Sequence, residues 1–335
     1  MHNHPAYNEA RHIEKKIENT LALKYPKDKV TILVGSDGST DETAAKVNKF
    51  VALGINFIDF KENRGKTAVQ NDLVKLSKGE ILIFTDAASF LHSNVLKKIV
   101  SNFADIRVGC VAGRMRFVDT SSNLTTQSQG LYWQYESKLR EMESRLGSLI
   151  GVDGPLYAVR RECYVPFENN IISDFVMPLL VLAQGRNVIL EPESVVDEDA
   201  TSKTAHEFTT RRRITLRGLA GLCAYPELLN PFKHPFLFLQ IFFHKVLRWF
   251  VGPLVILNSL ACLALCGQDL FMGILMVYVA FFLAALLGVF AEYLDIKIRF
   301  ITVPYYFCVV NFAATMGIID FFRKKQAVTW KPVRE

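Results

Sequence analysis

Charged side chains follow several apolar stretches of this 335-residue chain, at the points where buried strands would end. The clearest case is Asp86, which comes directly after the apolar run at 81–84 and Thr85. Open α/β sheets bind ligands at the carboxyl ends of their strands, so Asp86 is a candidate for ligand chemistry. The ordinary alternative is that Asp86 caps the helix that follows.

The elements that would position such residues alternate between strand and helix patterns. Strand-like apolar runs are separated by segments with helical spacing and occur at 30–35, 55–58, 81–85, 108–112 and 188–190. This alternation predicts a mostly parallel sheet with helices on both faces. Since the carboxyl ends of parallel strands share one edge, Asp37, Lys66 and Asp86 are expected to converge there.

A second group of candidate residues lies after residue 150. The glycines of the stretch at 151–161 suggest a close approach of the backbone to a ligand, or an ordinary turn into a strand. Asp174 opens a helical pattern and is either a cap or a base. Three arginines at 211–213 precede an apolar helix, so a phosphate clamp or a membrane contact competes with a solvated surface.

The composition divides the chain into a soluble part and a very apolar part. Residues up to about 230 have the composition of a soluble α/β protein, whereas 235–322 are strongly apolar. The net charge of +6 is modest, and no basic stripe with interleaved aromatic residues is present, so no nucleic-acid partner is expected. The six cysteines have no metal-type spacing, which fits a reduced, cytosolic setting for the soluble part.

The apolar part predicts contact with a membrane. Residues 235–253 predict an amphipathic helix, because Gln240, His244 and Arg248 recur every four residues among aromatic side chains. Such a helix is typical of the membrane interface, and the alternative is a helix packed on the soluble domain. Apolar segments follow at 251–266, 270–291 and 300–322, and the last two are long enough to cross a bilayer.

These patterns predict a domain at 1–230, an interface helix at 235–253, transmembrane helices at 254–322 and a basic tail at 323–335. A third crossing would put the basic tail outside, against the positive-inside rule, so either a re-entrant third segment or a crossing by 235–253 is left open. The abrupt start before Pro5 predicts that the first strand is missing or truncated, and leaves open a membrane segment before it.

Four motifs, taken in order, make the chain resemble the family 2 glycosyltransferases. They are Pro-Ala-Tyr-Asn-Glu at 5–9, Asp-Gly-Ser-Thr-Asp at 37–41, Gly-Lys at 65–66 and Phe-Thr-Asp at 84–86. More narrowly, the chain looks like the membrane-bound processive branch, which includes the hyaluronan, cellulose and poly-N-acetylglucosamine synthases. The resemblance covers most of the chain. It implies a GT-A fold with a Rossmann-like sheet, a nucleoside diphosphate sugar donor (a UDP-sugar), inversion at the anomeric carbon, and Mg²⁺ or Mn²⁺ as cofactor.

The resemblance also implies roles for particular residues. Asp174 matches the general base, Asp86 the metal ligand, and Asp153 and Gly154 are expected beside the acceptor. The donor-binding positions would be Tyr7, Glu9, Asp37, Lys66, Asp86, Arg211 and Arg213. The chain departs from the family pattern at Ala88 (second metal-motif acid), Ser173 (Glu), Thr210 (Gln) and Ile214 (Trp).

The resulting hypothesis is an inverting membrane glycosyltransferase, a multi-pass protein of the inner cell membrane with a cytoplasmic catalytic domain. It would extend a polysaccharide or glycosylate a lipid-linked acceptor, so its partners would be the nucleotide sugar, that acceptor and membrane lipid. Three spans are few to enclose a sugar channel, which leaves open a homo-oligomer or a partner subunit of a synthase. The alternatives are transfer of one sugar to polyprenyl phosphate and, given Ala88, a degenerate nucleotide-sugar-binding regulatory subunit.

Overall fold

The computed structural model describes residues 2–118, 124–199, 204–294 and 299–325, and its strands form one mixed sheet. The strands are β1 His2–Ala6, β2 Ile32–Asp37, β3 Ile55–Phe60, β4 Ile81–Thr85, β5 Phe90–Leu91, β6 Val108–Val118, β7 Leu156–Arg160 and β8 Asn187–Asp199. Their order across the sheet is β3-β2-β1-β4-β7-β6-β8-β5.

The first four long strands of this sheet run parallel. β1 pairs with β2 and β4, and β2 pairs with β3, all in the same direction. β7 is antiparallel to both β4 and β6, while β6 and β8 are parallel to each other. The carboxyl ends of β1, β2 and β4 therefore open at one edge, as the alternation in the sequence predicts.

Helices cover both faces of the sheet because successive strand residues point to opposite sides. The helices of this part are α1 Ile13–Leu21, α2 Thr43–Asn48, α3 Lys66–Leu76, α4 Val95–Ser101, α5 Leu124–Arg145, α6 Ser173–Ala183 and α7 Thr204–Ala224. Phe84 belongs to a core formed with α3 and α6, whereas its neighbour Ile83 packs with α4. This two-sided burial explains the uninterrupted apolar run of β4.

The remaining helices are α8 Pro235–Ile241, α9 Leu247–Ala264, α10 Asp269–Tyr293 and α11 Arg299–Phe322. A π-helical turn, Phe242–Val246, joins α8 to α9. Three stretches in the described part of the chain are long and apolar enough to cross a membrane: Pro235–Ala264, Asp269–Tyr293 and Ile301–Phe322. The polypeptide thus carries three candidate spans, as expected, and the first includes the whole proposed interface helix. The basic tail lies outside the described residues from position 326 onward.

Two expectations from the sequence need correction. A first strand is present, because His2–Ala6 forms β1 between β2 and β4, and the truncation of this strand stays a prediction. The sequence of β1 is polar and contains a proline, so it has no strand pattern of its own, and only its pairing with β2 and β4 identifies it as a strand.

The second correction concerns the cationic stripe of the proposed interface helix. His244 is 7% exposed, and its ring nitrogens lie 2.6 Å from Glu143 and 3.2 Å from Glu136 of α5. Arg248 donates to Glu136 at 2.9 Å. These side chains pack on the soluble domain rather than facing lipid headgroups, because α5 supplies carboxylates that pair with them.

Candidate active site

Lys66 and Asp86 form an ion pair at the edge where the parallel strands end. Asp86 directly follows β4, and Lys66 is the first residue of α3. The preceding Gly65 has a φ of +92°, a conformation that glycine adopts without strain. The glycine turn therefore directs the lysine of α3 back toward the end of β4.

Asp37 fixes this turn from the end of β2. Its carboxylate accepts hydrogen bonds from the backbone N–H groups of Arg64 and Gly65, both at 2.8 Å. The side chain is almost fully buried, and burial raises its pKa, while the two N–H groups oppose that rise. In this structure the Asp37 carboxylate positions the loop that carries Lys66. That Asp37 also contacts the donor stays a prediction.

Asp174 lies in the first turn of α6, where the helix dipole favours a carboxylate. Its backbone carbonyl accepts a hydrogen bond from the N–H of Val152 at 3.1 Å. The adjacent Ser173 hydroxyl donates to Gln70 of α3 at 2.6 Å. Burial raises the pKa of the Asp174 carboxyl, and the nearby Lys66 ammonium counteracts that effect.

Gly154 shows how closely the charged groups of the site converge. A β-carbon at this position would lie 2.8 Å from Asp174 Oδ2, 3.2 Å from Lys66 Nζ and 3.5 Å from Asp86 Oδ2. Side chains from the ends of β4, α3 and α6 therefore meet around one point, although Asp86 and Asp174 are 88 positions apart in the sequence. Only a residue without a side chain leaves that point open.

Asp174 also lines a cavity of about 370 Å³ that extends toward the apolar C-terminal helices. Its walls include Asp153 and Gly154 from the segment before β7, Arg211 and Ile214 from α7, Trp249 from α9 and Asn311 from α11. The cavity therefore connects the charged site with the helices that could cross a membrane.

Asp153 and Arg211, both assigned to ligands from the sequence, have protein partners in this structure. Asp153 forms an ion pair with Arg140 of α5, which also donates to the carbonyl of Gly151 at 3.2 Å. Arg211 forms an ion pair with Glu207 at 2.8 Å. Both side chains still line the cavity, so their predicted contacts with acceptor and donor stay predictions.

Three further predicted donor residues lie near the same edge or on α7. Tyr7 is partly exposed just after β1, and Glu9 is buried, with Oε2 3.2 Å from His12 Nδ1. Arg213 is half-buried on α7, close enough to Arg217 for its charge to lower the pKa of that guanidinium.

Two buried cations near the site, Lys16 and Arg217, were not among the residues predicted from the sequence. Lys16 of α1 is fully buried and donates to Thr85 Oγ1 at 2.7 Å and to the carbonyl of Ser89, so it spans the loop that contains Asp86. Arg217 is buried on α7 and contacts the segment before Asp174. Arg217 follows Arg213 by four residues and so lies on the same helix face, which is the one signal that could have identified it.

The fold is a GT-A-like mixed sheet with helices on both faces. Residues 4–164 match the family model described as glycosyl transferase family 2. This match covers a little less than half of the 335-residue chain.

Curated relatives match part of the chain. A poly-β-1,6-N-acetyl-D-glucosamine synthase from Staphylococcus aureus is 34% identical over 120 residues, which cover 35% of this chain and 29% of that synthase. An N-acetylglucosaminyltransferase from Azorhizobium caulinodans is 25% identical over 166 residues, or 48% of this chain and 42% of that protein. The chain thus matches less than half of the length of either relative.

A solved structure matches almost the whole chain. The mannosyltransferase PcManGT from Pyrobaculum calidifontis, in complex with GDP-Man and Mn²⁺, has a TM-score of 0.71. The superposition covers 97% of this chain and 87% of that protein at 21% sequence identity. It establishes the shared fold, including the helices after the sheet.

Proposed function

We propose that this chain is an inverting glycosyltransferase that takes a sugar from a nucleoside diphosphate sugar and works at a membrane surface. The observation that carries the proposal is the convergence of Lys66, Asp86 and Asp174 around Gly154. Gly154 and Asp174 also line a cavity that reaches the apolar helices. A cation for the leaving diphosphate and a carboxylate for the acceptor hydroxyl are the two charges that this reaction needs.

In the proposed reaction, Asp174 accepts the proton of the acceptor hydroxyl. A bond forms between that oxygen and the anomeric carbon while the bond from the anomeric carbon to the diphosphate oxygen breaks. The electron pair of the broken bond stays on the diphosphate, whose added charge the Lys66 ammonium offsets. Because the new bond forms opposite the broken one, the anomeric configuration inverts.

A divalent cation fits this site only if most of its ligands come from the diphosphate of the substrate and few from the protein. In the described ranges, no cluster of three or more His, Cys, Asp or Glu side chains could hold a metal ion. Ala88, where the family has a second acid, is buried and apolar. Asp86 offers one carboxylate, and Mg²⁺ is commonly bound by one or two carboxylates plus substrate phosphates. Asp86 would hold Mg²⁺ or Mn²⁺, which would neutralise charge on the diphosphate.

The acceptor is proposed to be a growing polysaccharide or a lipid-linked molecule. The support is that the cavity beside Asp174 is walled by Trp249 and Asn311, which belong to two of the candidate spans. An acceptor whose hydroxyl reaches Asp174 through this cavity passes between helices that could lie in lipid. The catalytic domain would then lie on the cytoplasmic face, where nucleotide sugars are the donors.

Transfer of a single sugar to polyprenyl phosphate is a second candidate. It is favoured by Ile214, which lines the cavity where the processive relatives have the Trp that packs near the acceptor sugar. A weaker sugar platform would hold a growing chain less firmly between successive transfers.

Transfer by the full chain in membranes tests both candidates. Radiolabelled UDP-N-acetylglucosamine is the first donor to try, because two relatives are named for that sugar, followed by UDP-glucose and GDP-mannose. We expect Mn²⁺-stimulated transfer by the wild type and transfer at least about a hundred-fold slower by Asp174→Asn. A polymer ladder on a gel would indicate a polysaccharide synthase, and a single lipid-linked sugar the second candidate. No transfer from any of these donors would contradict the proposed function.

A further inference from the structure

Arg217 makes an unusual set of contacts for a buried arginine. The side chain is 9% exposed, and its Nη2 donates to Thr67 Oγ1 at 3.1 Å. Its other hydrogen bonds go to the backbone carbonyls of Asn169, Asn170 and Ile171. A guanidinium has donors in a fixed planar fork, and here that fork spans two separate segments of the chain.

The two segments that Arg217 joins carry the reacting groups of the proposed site. Thr67 directly follows Lys66 at the start of α3, and Ile171 comes three residues before Asp174. Thr67 Oγ1 also donates to the carbonyl of Ile171 at 2.8 Å. The Arg217 guanidinium, the Thr67 hydroxyl and the Ile171 carbonyl are thus hydrogen-bonded to one another. They lie in the segments that carry Lys66 and Asp174.

The charge of this guanidinium is retained despite its burial. Burial is the main influence on the pKa of Arg217 and lowers it to about 10, so the group stays protonated at neutral pH. Burying a charge is costly unless hydrogen bonds satisfy it, and the carbonyl and hydroxyl oxygens do so here. Its charge also lies near enough to Asp174 to favour the ionised carboxylate. A charge kept at this cost is better explained by a role at the site than by packing alone.

Helix α7 also contacts the apolar helices. A β-carbon on Gly218 would lie 2.6 Å from the Trp249 ring, so α7 and α9 are in close contact at the residue next to Arg217. The helix that carries Arg217 therefore touches both the first candidate span and the segment that precedes Asp174.

We propose that Arg217 is a positioning residue that fixes Lys66 and Asp174 relative to each other and to the membrane-side helix α7. The inference rests on the proposed function, since the positioned groups are its proposed cation and base. Arg217 does not contact the reacting atoms. It acts through Thr67 and the carbonyls of residues 169–171.

The test uses Arg217→Lys and a matched control, Arg161→Lys, in the full chain. Arg161 also donates to backbone carbonyls, those of Gly79 at 2.6 Å and Val74 at 3.3 Å, but it follows β7 at the opposite edge of the sheet. Lysine keeps the charge and loses the fork at both sites. Thr67→Val is a milder second variant, because it removes one hydroxyl from the same set of bonds.

For Arg217→Lys we expect kcat to fall about ten-fold or more, since small displacements of reacting groups cost that much. The affinity for UDP, measured with MnCl₂ by calorimetry, should stay within about three-fold of the wild type, because diphosphate binding needs Lys66 and Asp86 but not their distance to Asp174. Arg161→Lys should leave both quantities near the wild-type values. Equal losses of kcat in Arg217→Lys and Arg161→Lys would overturn the proposal.

Hydrogen exchange gives a readout that is independent of turnover and so separates this inference from the proposed function. We expect faster amide exchange at both 64–68 and 168–175 in Arg217→Lys and in Thr67→Val, and at neither in Arg161→Lys. Unchanged exchange in both segments would overturn the positioning role even in an active enzyme. Absence of transfer by the wild type, with the expected exchange pattern, would contradict the proposed function alone.

Discussion

Lys66, the first residue of α3, forms an ion pair with Asp86, the residue after β4, and its ammonium lies beside the carboxylate of Asp174. One cation thus serves two anionic groups that belong to different halves of the proposed reaction. It would offset the charge of the leaving diphosphate, and it favours the ionised form of Asp174 that accepts a proton.

Replacement of Lys66 by methionine should move the pH dependence of kcat. The base must be ionised, so kcat rises with pH through the pKa of Asp174, which burial places above the usual aspartate range. Lys66 lowers that pKa, and its loss should therefore shift the acid limb to higher pH. The measurement is kcat at saturating donor across the acidic range. Lys75→Met, which removes an exposed lysine from the same helix, is the control. An acid limb that stays in place in Lys66→Met would contradict this role.

Replacement of Gly154 by alanine should inactivate the site without unfolding the domain. The added methyl group would lie 2.8 Å from Asp174 Oδ2 and 3.2 Å from Lys66 Nζ, so both side chains would have to move. We expect kcat to fall by about a hundred-fold, the scale of a misplaced catalytic group. Gly273→Ala is the matched control, since a β-carbon there meets nothing within 4 Å. Wild-type kcat in Gly154→Ala would show that this point is not where substrate and base meet.

Lys16 predicts a specific dependence of stability on pH. Burial lowers its pKa to about 7, whereas in the unfolded chain a lysine titrates near 10.4. Between these values the unfolded chain binds a proton that the folded chain does not, so this group makes stability rise with pH from about 7 to about 10. Lys16→Met should lose that rise, because methionine does not titrate.

Thermal unfolding of the detergent-solubilised chain at about pH 7 and pH 9 measures the effect of Lys16. Lys15→Met is the control, because Lys15 is the exposed neighbour on the same helix. The same slope in Lys16→Met and the wild type would mean that Lys16 stays protonated in the folded chain.

The alternation of strand and helix patterns was enough to predict the parallel part of the sheet and the helices on both of its faces. Buried parallel strands appear in a sequence as continuous apolar runs, and the loop after each run is the edge where ligands bind. Asp37, Lys66 and Asp86 were found together for this reason. β1 was not recognised, since His2–Ala6 is polar and is held by pairing with β2 and β4.

Contacts between distant segments could not be predicted in the same way. Arg217 reaches residues 46 and 150 positions away, and no local pattern encodes such a contact. The stripe that contains His244 has the spacing of an interface helix, but periodicity cannot tell lipid from a protein surface. The carboxylates of α5 decide that outcome, and they belong to a helix about a hundred residues earlier.

In the proposed division of roles, Lys66 and Asp86 hold the diphosphate and Asp174 takes the proton. Its most direct test is to measure, on Asp174→Asn in the full chain, both binding of UDP with MnCl₂ and turnover of the active donor. The account predicts binding within about three-fold of the wild type and a loss of turnover of about a hundred-fold to ten-thousand-fold, the usual contribution of a general base. Turnover near the wild-type rate in Asp174→Asn would contradict it.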